Sequence, residues 1–309
     1  MDLYLAPMEE LTGYIFRNTI SKHFGYVDKY FTPFITPNQN KILKTKDGRE
    51  IVPEHNAGLN VVPQVLTNSA EHFNELLPLL IELGYQEINL NCGCPSNTVV
   101  KKNRGSGIFN DLYVLDKMLD GIFEGPDIDK VKISVKTRVG LDDTNDFEDI
   151  MNVYNKYPLY ELCIHPRIQK DFYQGKPRME MFEYGLAKSK TKVCYNGDVF
   201  TVNDYEKIAN KYNVYSIMIG RGAIANPGLF REIRTGQKMT VDELRAFHDD
   251  LYETYADTWS DKDALFKLKE VWGYLKLQFE DIDKPLKKIR KSNNRAEFMA
   301  ACNEVWRNV

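Results

Sequence analysis

The chain has 309 residues, 43% of them hydrophobic and 28% charged, the balance of a globular protein with a sizeable core and not of a disordered or fibrous one. Its formal net charge of −3 and pI near 6.0 exclude a globally basic nucleic-acid binder, so any such footprint must be local. No apolar run approaches the ~20 residues of a membrane helix, the MDLYLAPMEE start does not read as a signal peptide, and five scattered cysteines (Cys92, Cys94, Cys163, Cys194, Cys302) argue against a disulfide framework and for a reducing, cytoplasmic compartment.

From the first residues onward, short apolar segments alternate with helical patterns, which predicts βα units and a parallel sheet. Strands are predicted at 3–6, 27–31, 61–65, 87–91, 132–136, 162–165, 192–196 and 216–219, with helices between them, for instance at 70–83 and 204–211. These eight units close most simply into a (β/α)8 TIM barrel; a doubly wound sheet is the competitor. The polar TGQKMT stretch ends the alternation, and Thr240 with Glu243 three residues later forms a capping box. Beyond it the period is helical. Leu265, Leu268, Trp272, Leu275 and Phe279 make one apolar stripe, predicted to dock a small C-terminal helical domain. The expected division is a catalytic barrel at 1–238 and a helical domain at 239–309.

Barrel enzymes bind ligands at the C-terminal ends of their strands. Here those ends carry Pro7, Met8 and Glu9; Gln64; Asn91 to Cys94; Lys136 and Arg138; His165 and Arg167; Asn196, Gly197 and Asp198; and Gly220, Arg221 and Gly222. Any one of these is equally well a turn residue, but their concentration at one end is a signal. NGD and IGRG follow the last two strands, where backbone N–H groups commonly hold a phosphate, with Arg221 adding a fork of donors. Gly105-Ser106-Gly107 is a weaker lookalike, since Asn110 stands where a dinucleotide fingerprint needs glycine.

The stretch LNCGCP places two cysteines one residue apart beyond a strand. A structural zinc site needs about four ligands at local spacing, and no second Cys or His pair lies near, so no metal is expected. Cys92 reads as a packing residue. Cys94, in a glycine–proline turn with Lys136, His165 and Arg167 expected on neighbouring strand ends, is open between packing and a reactive thiol.

LAPMEE, NCGCPSNTV with KKNRGSG, SVKTRVG, IHPR, NGD and MIGRGAI occur in an order and spacing that resembles the tRNA-dihydrouridine synthases, over essentially the whole chain. The resemblance implies an FMN-dependent (β/α)8 enzyme that reduces a D-loop uridine of tRNA to 5,6-dihydrouridine with NADPH (or NADH) as reductant. It implies that Pro7, Met8, Glu9, Gln64, Lys136, His165, Asn196, Gly197, Asp198, Gly220 and Arg221 surround FMN. It further implies that hydride passes from flavin N5 to uracil C6 while Cys94 gives the proton to C5. Two stretches depart from the family pattern: Pro166 follows His165 where glycine is common, and FTPFIT lacks the charged residues usual in a region close to RNA.

The run KPLKKIRKSNNR at 284–295 carries six bases and no acid, and Lys262, Lys269 and Lys276 recur at seven-residue spacing. A solvated face or a phosphate footprint both fit. The residues expected to touch tRNA are Asn91, Arg138, Arg167, Lys269, Lys287, Lys288 and Arg290, on a monomer without membrane or metal partners. The competing readings are a flavin barrel acting on a free pyrimidine and a non-catalytic tRNA-binding protein.

Overall fold

Each strand of the sheet runs parallel to its neighbours and gives way within a few residues to a loop or helix. The computed structural model describes residues 1–307. The strands are β1 (Asp2–Leu5), β2 (Lys29–Phe31), β3 (Val61–Val62), β4 (Gln64–Val65), β5 (Glu87–Cys92), β6 (Lys132–Arg138), β7 (Glu161–His165), β8 (Lys192–Asn196) and β9 (Ser216–Ile219). Their order is β3-β2-β1-β9-β8-β7-β6-β5-β4. Pro63 alone joins the two ends of that order: β3 pairs with β2 through Tyr30 and Val61, and β4 with β5 through Gln64 and Asn89. The sheet therefore closes on itself. The single strand predicted at 61–65 is split because Pro63 has no N–H for the ladder, although its carbonyl still accepts from the Asn89 N–H at 2.9 Å. With that pair counted as one stave, the molecule is the expected (β/α)8 barrel followed by helices.

Two strand boundaries differ from expectation for visible reasons. β2 starts two residues late, after Tyr26 in a left-handed conformation (φ 60°). β6 runs on to Arg138 because its pairing continues on both sides, Cys92 with Thr137 and Arg138 with His165.

The inside of the barrel is not uniform. Tyr4, Ala6, Phe31, Val62, Cys163, Cys194 and Met218 form an apolar and sulfur-rich cluster. The opposing wall of β4, β5 and β6 buries Gln64, Asn89 and Ser134, which hydrogen-bond to one another. Alternate residues of a strand share one face, so Glu87, Asn89 and Asn91 all point the same way.

The tail forms helices Val241–Thr258, Asp261–Leu275, Asp283–Lys291 and Arg295–Trp306. The capping box is present: Thr240 Oγ1 accepts from the Glu243 N–H at 3.2 Å and Glu243 Oε2 from the Thr240 N–H at 2.9 Å. The predicted stripe is buried at Leu265, Leu268, Trp272 and Leu275, but its centre faces the tail's own core. Trp272 Nε1 donates to His248 Nε2 at 3.1 Å, and its ring lies 5.3 Å from that of Trp306. Docking on the barrel is shared by the Asp261–Leu275 helix, which packs on Arg221–Ala225, and by Phe247 of the preceding helix, whose ring meets Phe16 at 5.8 Å and Phe24 at 5.7 Å.

Candidate active site

The C-terminal strand ends surround one cavity of about 580 Å³. Pro7, Met8, Glu9, Gln64, Lys136, His165, Asn196, Gly197, Gly220 and Arg221 line it, together with Cys94, Asn91 and Arg138. Lys136 makes no hydrogen bond or ion pair among the described residues, and burial lowers its pKa. An ammonium held in that state favours a ligand that brings an acceptor or negative charge to it.

His165 is buried, and its pKa is pushed well below the ordinary value, by burial first and then by the charges of Arg138, Lys136, Arg167 and Arg221. Arg167 can only donate, so its contact with His165 Nε2 at 3.1 Å makes Nε2 the acceptor and leaves the ring proton on Nδ1. Arg167 also grips both oxygens of Asp198, at 3.0 and 2.6 Å, and Arg221 meets the same carboxylate at 2.6 Å. Asp198 thus ties the ends of β7, β8 and β9 together. The backbone N–H groups of Gly197, Asp198 and Arg221 donate to nothing else among the described residues. A Cβ on Gly197 would collide with the Tyr195 hydroxyl, so a side chain there would displace that buried ring.

At the end of β5 the two cysteines part company. Cys92 is 1% exposed and turned into the wall beside Tyr154, and burial pushes its pKa up to about 12. Cys94 lines the cavity, with its backbone held on both sides. Asn91 Oδ1 accepts from the Cys94 N–H at 2.9 Å and the Gly93 N–H at 3.0 Å. The Cys94 carbonyl accepts from the Ser106 N–H at 3.1 Å and hydroxyl at 2.9 Å. Burial raises the thiol pKa, against the Ser96 amide and the charges of Arg138 and Lys136, which pull it down. A thiol so placed keeps its proton at neutral pH and releases it to a base or carbanion nearby.

Compared with known proteins, the chain matches the family described as Dihydrouridine synthase (Dus) over residues 4–307. It belongs to that family. As a member of the dihydrouridine synthases it is a flavin-dependent oxidoreductase. Similar proteins include the "Probable tRNA-dihydrouridine synthase" of Staphylococcus epidermidis, 28% identical over 90% of this chain and 84% of that protein. Another is the "Probable tRNA-dihydrouridine synthase 2" of Bacillus subtilis, 28% identical over 82% of this chain and 78% of the relative. Among solved structures, a morphinone reductase mutant in complex with tetrahydroNAD superposes with a TM-score of 0.55 at 11% identity, covering 76% of this chain and 86% of that one. A variant of NCR from Zymomonas mobilis gives 0.54, also at 11% identity, covering 79% and 90%. At this identity the two structures share the barrel fold.

Within this dihydrouridine synthase, four of the predicted site residues are engaged by neighbours that the sequence did not announce. Arg138 and Arg167 are 1% and 0% exposed, and Arg138 lines the cavity. Arg138 gives its donors to the carbonyls of Gly93, Ile168 and Phe172 at 3.0, 2.7 and 2.5 Å. Arg167 gives the rest of its own to Gln174 and Gly175. Asp198 does not line the cavity and acts through the two arginines it joins. Lys269, predicted to face tRNA, donates to the Ser292 carbonyl and so ties two tail helices together. Lys287, Lys288 and Arg290 are exposed on the Asp283–Lys291 helix, with Lys288 paired to Glu304 at 2.6 Å, far along the chain from the cavity. Asn91 lines the cavity and anchors the Cys94 turn.

Sequence reasoning missed Ser106, which holds Cys94 from a loop read only as a failed fingerprint. It also missed the aromatic rim of Phe34, Phe172, Tyr173 and Tyr274. Tyr173 lies 4.8 Å from the Arg221 guanidinium and 5.5 Å from that of Arg138, an arrangement that no motif announces. No helix among the described residues is long and apolar enough to cross a membrane.

Proposed function

We propose that this oxidoreductase reduces one uridine of the tRNA D-loop to 5,6-dihydrouridine, holding FMN in the barrel cavity and drawing on NADPH (or NADH). The observation that carries the reading is a thiol kept protonated by burial, Cys94, facing the same cavity as an unpartnered ammonium, Lys136. The chain's residues fit a phosphorylated ring cofactor. The free N–H groups of Gly197 and Arg221, with the Arg221 guanidinium, suit a phosphate. Lys136, His165 and Gln64 suit the polar edge of a ring system, and Pro7 and Met8 its apolar face.

FMN bound there supplies the reducing equivalents that the uracil ring takes up. Cys94 Sγ gives a proton to C5 of the uracil, and the charges of Arg138 and Lys136 stabilise the thiolate it leaves. His165, kept neutral, offers its Nδ1–H as a donor without adding charge. To reach the cavity the target base must leave the RNA stack. The exposed Lys284, Lys287, Lys288, Arg290 and Lys291 make residues 239–309 the RNA-binding part of a cytoplasmic monomer.

The test is to map dihydrouridine in tRNA from a strain lacking the gene and to restore it with purified protein, tRNA and NADPH. Loss of dihydrouridine at one D-loop position, restored by the protein, is the expected result. Unchanged tRNA in the deletion strain, with no flavin in the purified protein, would sink the reading.

A further inference from the structure

A line of buried hydrogen bonds crosses the barrel from its floor to the Cys94 turn, and every donor and acceptor in it is forced. Lys29 Nζ donates to Glu87 Oε2 at 2.6 Å, at the end of the barrel away from the cavity. Glu87 Oε1 accepts from Ser134 Oγ at 2.8 Å. Ser134 Oγ accepts from Asn89 Nδ2 at 3.0 Å, and Asn89 Oδ1 accepts from Gln64 Nε2 at 2.7 Å. Gln64 Oε1 accepts from Asn91 Nδ2 at 2.8 Å, and Asn91 Oδ1 receives the N–H groups of Gly93 and Cys94. Gln64, Asn89 and Ser134 are at most 2% exposed, so water cannot replace a lost partner.

An amide can turn over and exchange its oxygen for its nitrogen, so each link depends on the next. Both oxygens of the Glu87 carboxylate accept, Oε2 from Lys29 and Oε1 from Ser134, which sets Ser134 as a donor. Ser134 must then accept from Asn89, and the same direction is imposed on Gln64 and Asn91. If one link is lost, the amides above it are held from the Cys94 end alone, and Asn91 is less firmly fixed against the two N–H groups of the turn.

We propose that Ser134, Asn89 and Glu87 are positioning residues for Cys94, setting the orientation of Asn91 from the far end of the barrel. The wiring of the Cys94 turn stands on geometry; its importance for turnover rests on the proposed role of Cys94 as acid. Ser216 supplies an internal control, because its Oγ donates at 2.6 Å to a second floor carboxylate, Glu161, and no serine–amide line leads from Ser216 to Cys94.

The experiment compares Ser134→Ala with Ser216→Ala in the full-length, flavin-loaded protein. The first readout is the rate at which iodoacetamide alkylates Cys94, with Cys94→Ser as background. Ser134→Ala is expected to raise that rate about fivefold, the scale of one net hydrogen bond, and Ser216→Ala to leave it near the parent value. The second readout is turnover: Ser134→Ala should lower kcat for dihydrouridine formation with KM for tRNA unchanged. Ser134→Thr, which restores the hydroxyl, should recover both. Should Ser134→Ala fail to fold, Asn89→Asp, which keeps the shape and removes the donor to Ser134, carries the same expectation. Parent-like alkylation in Ser134→Ala, or equal acceleration in Ser216→Ala, overturns the proposal. Altered alkylation with unaltered dihydrouridine formation would leave the wiring intact and remove Cys94 as the acid instead.

Discussion

The cavity mouth and the Asp283–Lys291 helix are both rich in cations, yet they hold them in opposite ways. At the mouth, Arg138 and Arg167 are buried, their donors given to loop carbonyls, His165 and Asp198. On the helix, Lys284, Lys287, Arg290 and Lys291 stand in solvent. Removing a charge from water costs far more than a loose surface contact returns, so a buried guanidinium persists only where neighbours satisfy it fully. Buried cations here shape the site and tune its neighbours, whereas exposed ones keep their charge available to an outside partner.

The sharpest way to break this contrast is at Cys94, the group that the mouth's cations surround. Cys94→Ala is expected to lower dihydrouridine formation by about 10²- to 10⁴-fold, the range for loss of a general acid, while flavin content and tRNA affinity stay at parental values. Cys92→Ala should retain most activity, because its thiol lies in the wall and not in the cavity. Equal loss of turnover in the two variants would show that the turn as a whole matters and not its thiol.

Next in size is Arg167. Arg167→Ala strands Asp198 beside Arg221 and leaves the Gln174 and Gly175 carbonyls without their donor, so unfolding free energy should fall by about 3 kcal/mol. Lys287→Ala on the exposed helix should change it by no more than about 0.5 kcal/mol. Denaturant titration of both variants separates the two kinds of cation. Comparable losses would mean that the tail lysine is structural too.

His165 adds a pH signature to the mouth that the tail lacks. Its folded-state pKa lies below the unfolded value, so beneath about pH 6.5 the unfolded chain takes up a proton that the native site refuses. That contribution favours the native state at higher pH and is lost as pH falls through the ordinary imidazole range. His165→Gln should therefore lose less stability than the parent as pH falls from 6.5 to 5. Parallel stability curves for parent and variant would remove His165 as the cause.

The barrel was legible in the sequence because its signal repeats: eight apolar segments with polar residues at one end. Even the broken stave was written there, since VVPQV puts a proline inside a strand. The site was legible as far as strand ends could reveal it, because a parallel barrel brings every such end to one face. What could not be read was which polar groups already had partners. Arg138 and Arg167 were legible as strand-end cations, but the carbonyls that occupy them come from loops around Gly93, Ile168, Phe172 and Gly175, placed only by the folded barrel. The contact of Lys269 was hidden for the same reason, its acceptor Ser292 lying 23 residues away at the end of a later helix. The stripe through Trp272 had a legible period, but a period cannot say whether its partner is the barrel or the tail itself.

The smallest effect on the folded protein, and the most direct test of the exposed half of the contrast, is expected from the tail lysines. Lys284, Lys287 and Lys291 are exposed and line a groove with Lys288, Ala300 and Ala301, whereas Lys288 is partly engaged by Glu304. Replacing Lys284, Lys287 and Lys291 together with Gln keeps the aliphatic stems and removes three charges. If each meets one phosphate, the log–log slope of tRNA affinity against salt should flatten by about two units, since each neutralised phosphate contributes roughly 0.7 to 0.9. Melting temperature, flavin content and oxygen-coupled NADPH oxidation should not move, because none of the three side chains reaches the cavity or the tail's core. Filter binding across a range of salt reads the slope directly. A triple variant that binds with the parent's slope would make this helix a solvated face, and the RNA contact would then pass to Lys101 and Lys102, exposed on the loop that follows Cys94.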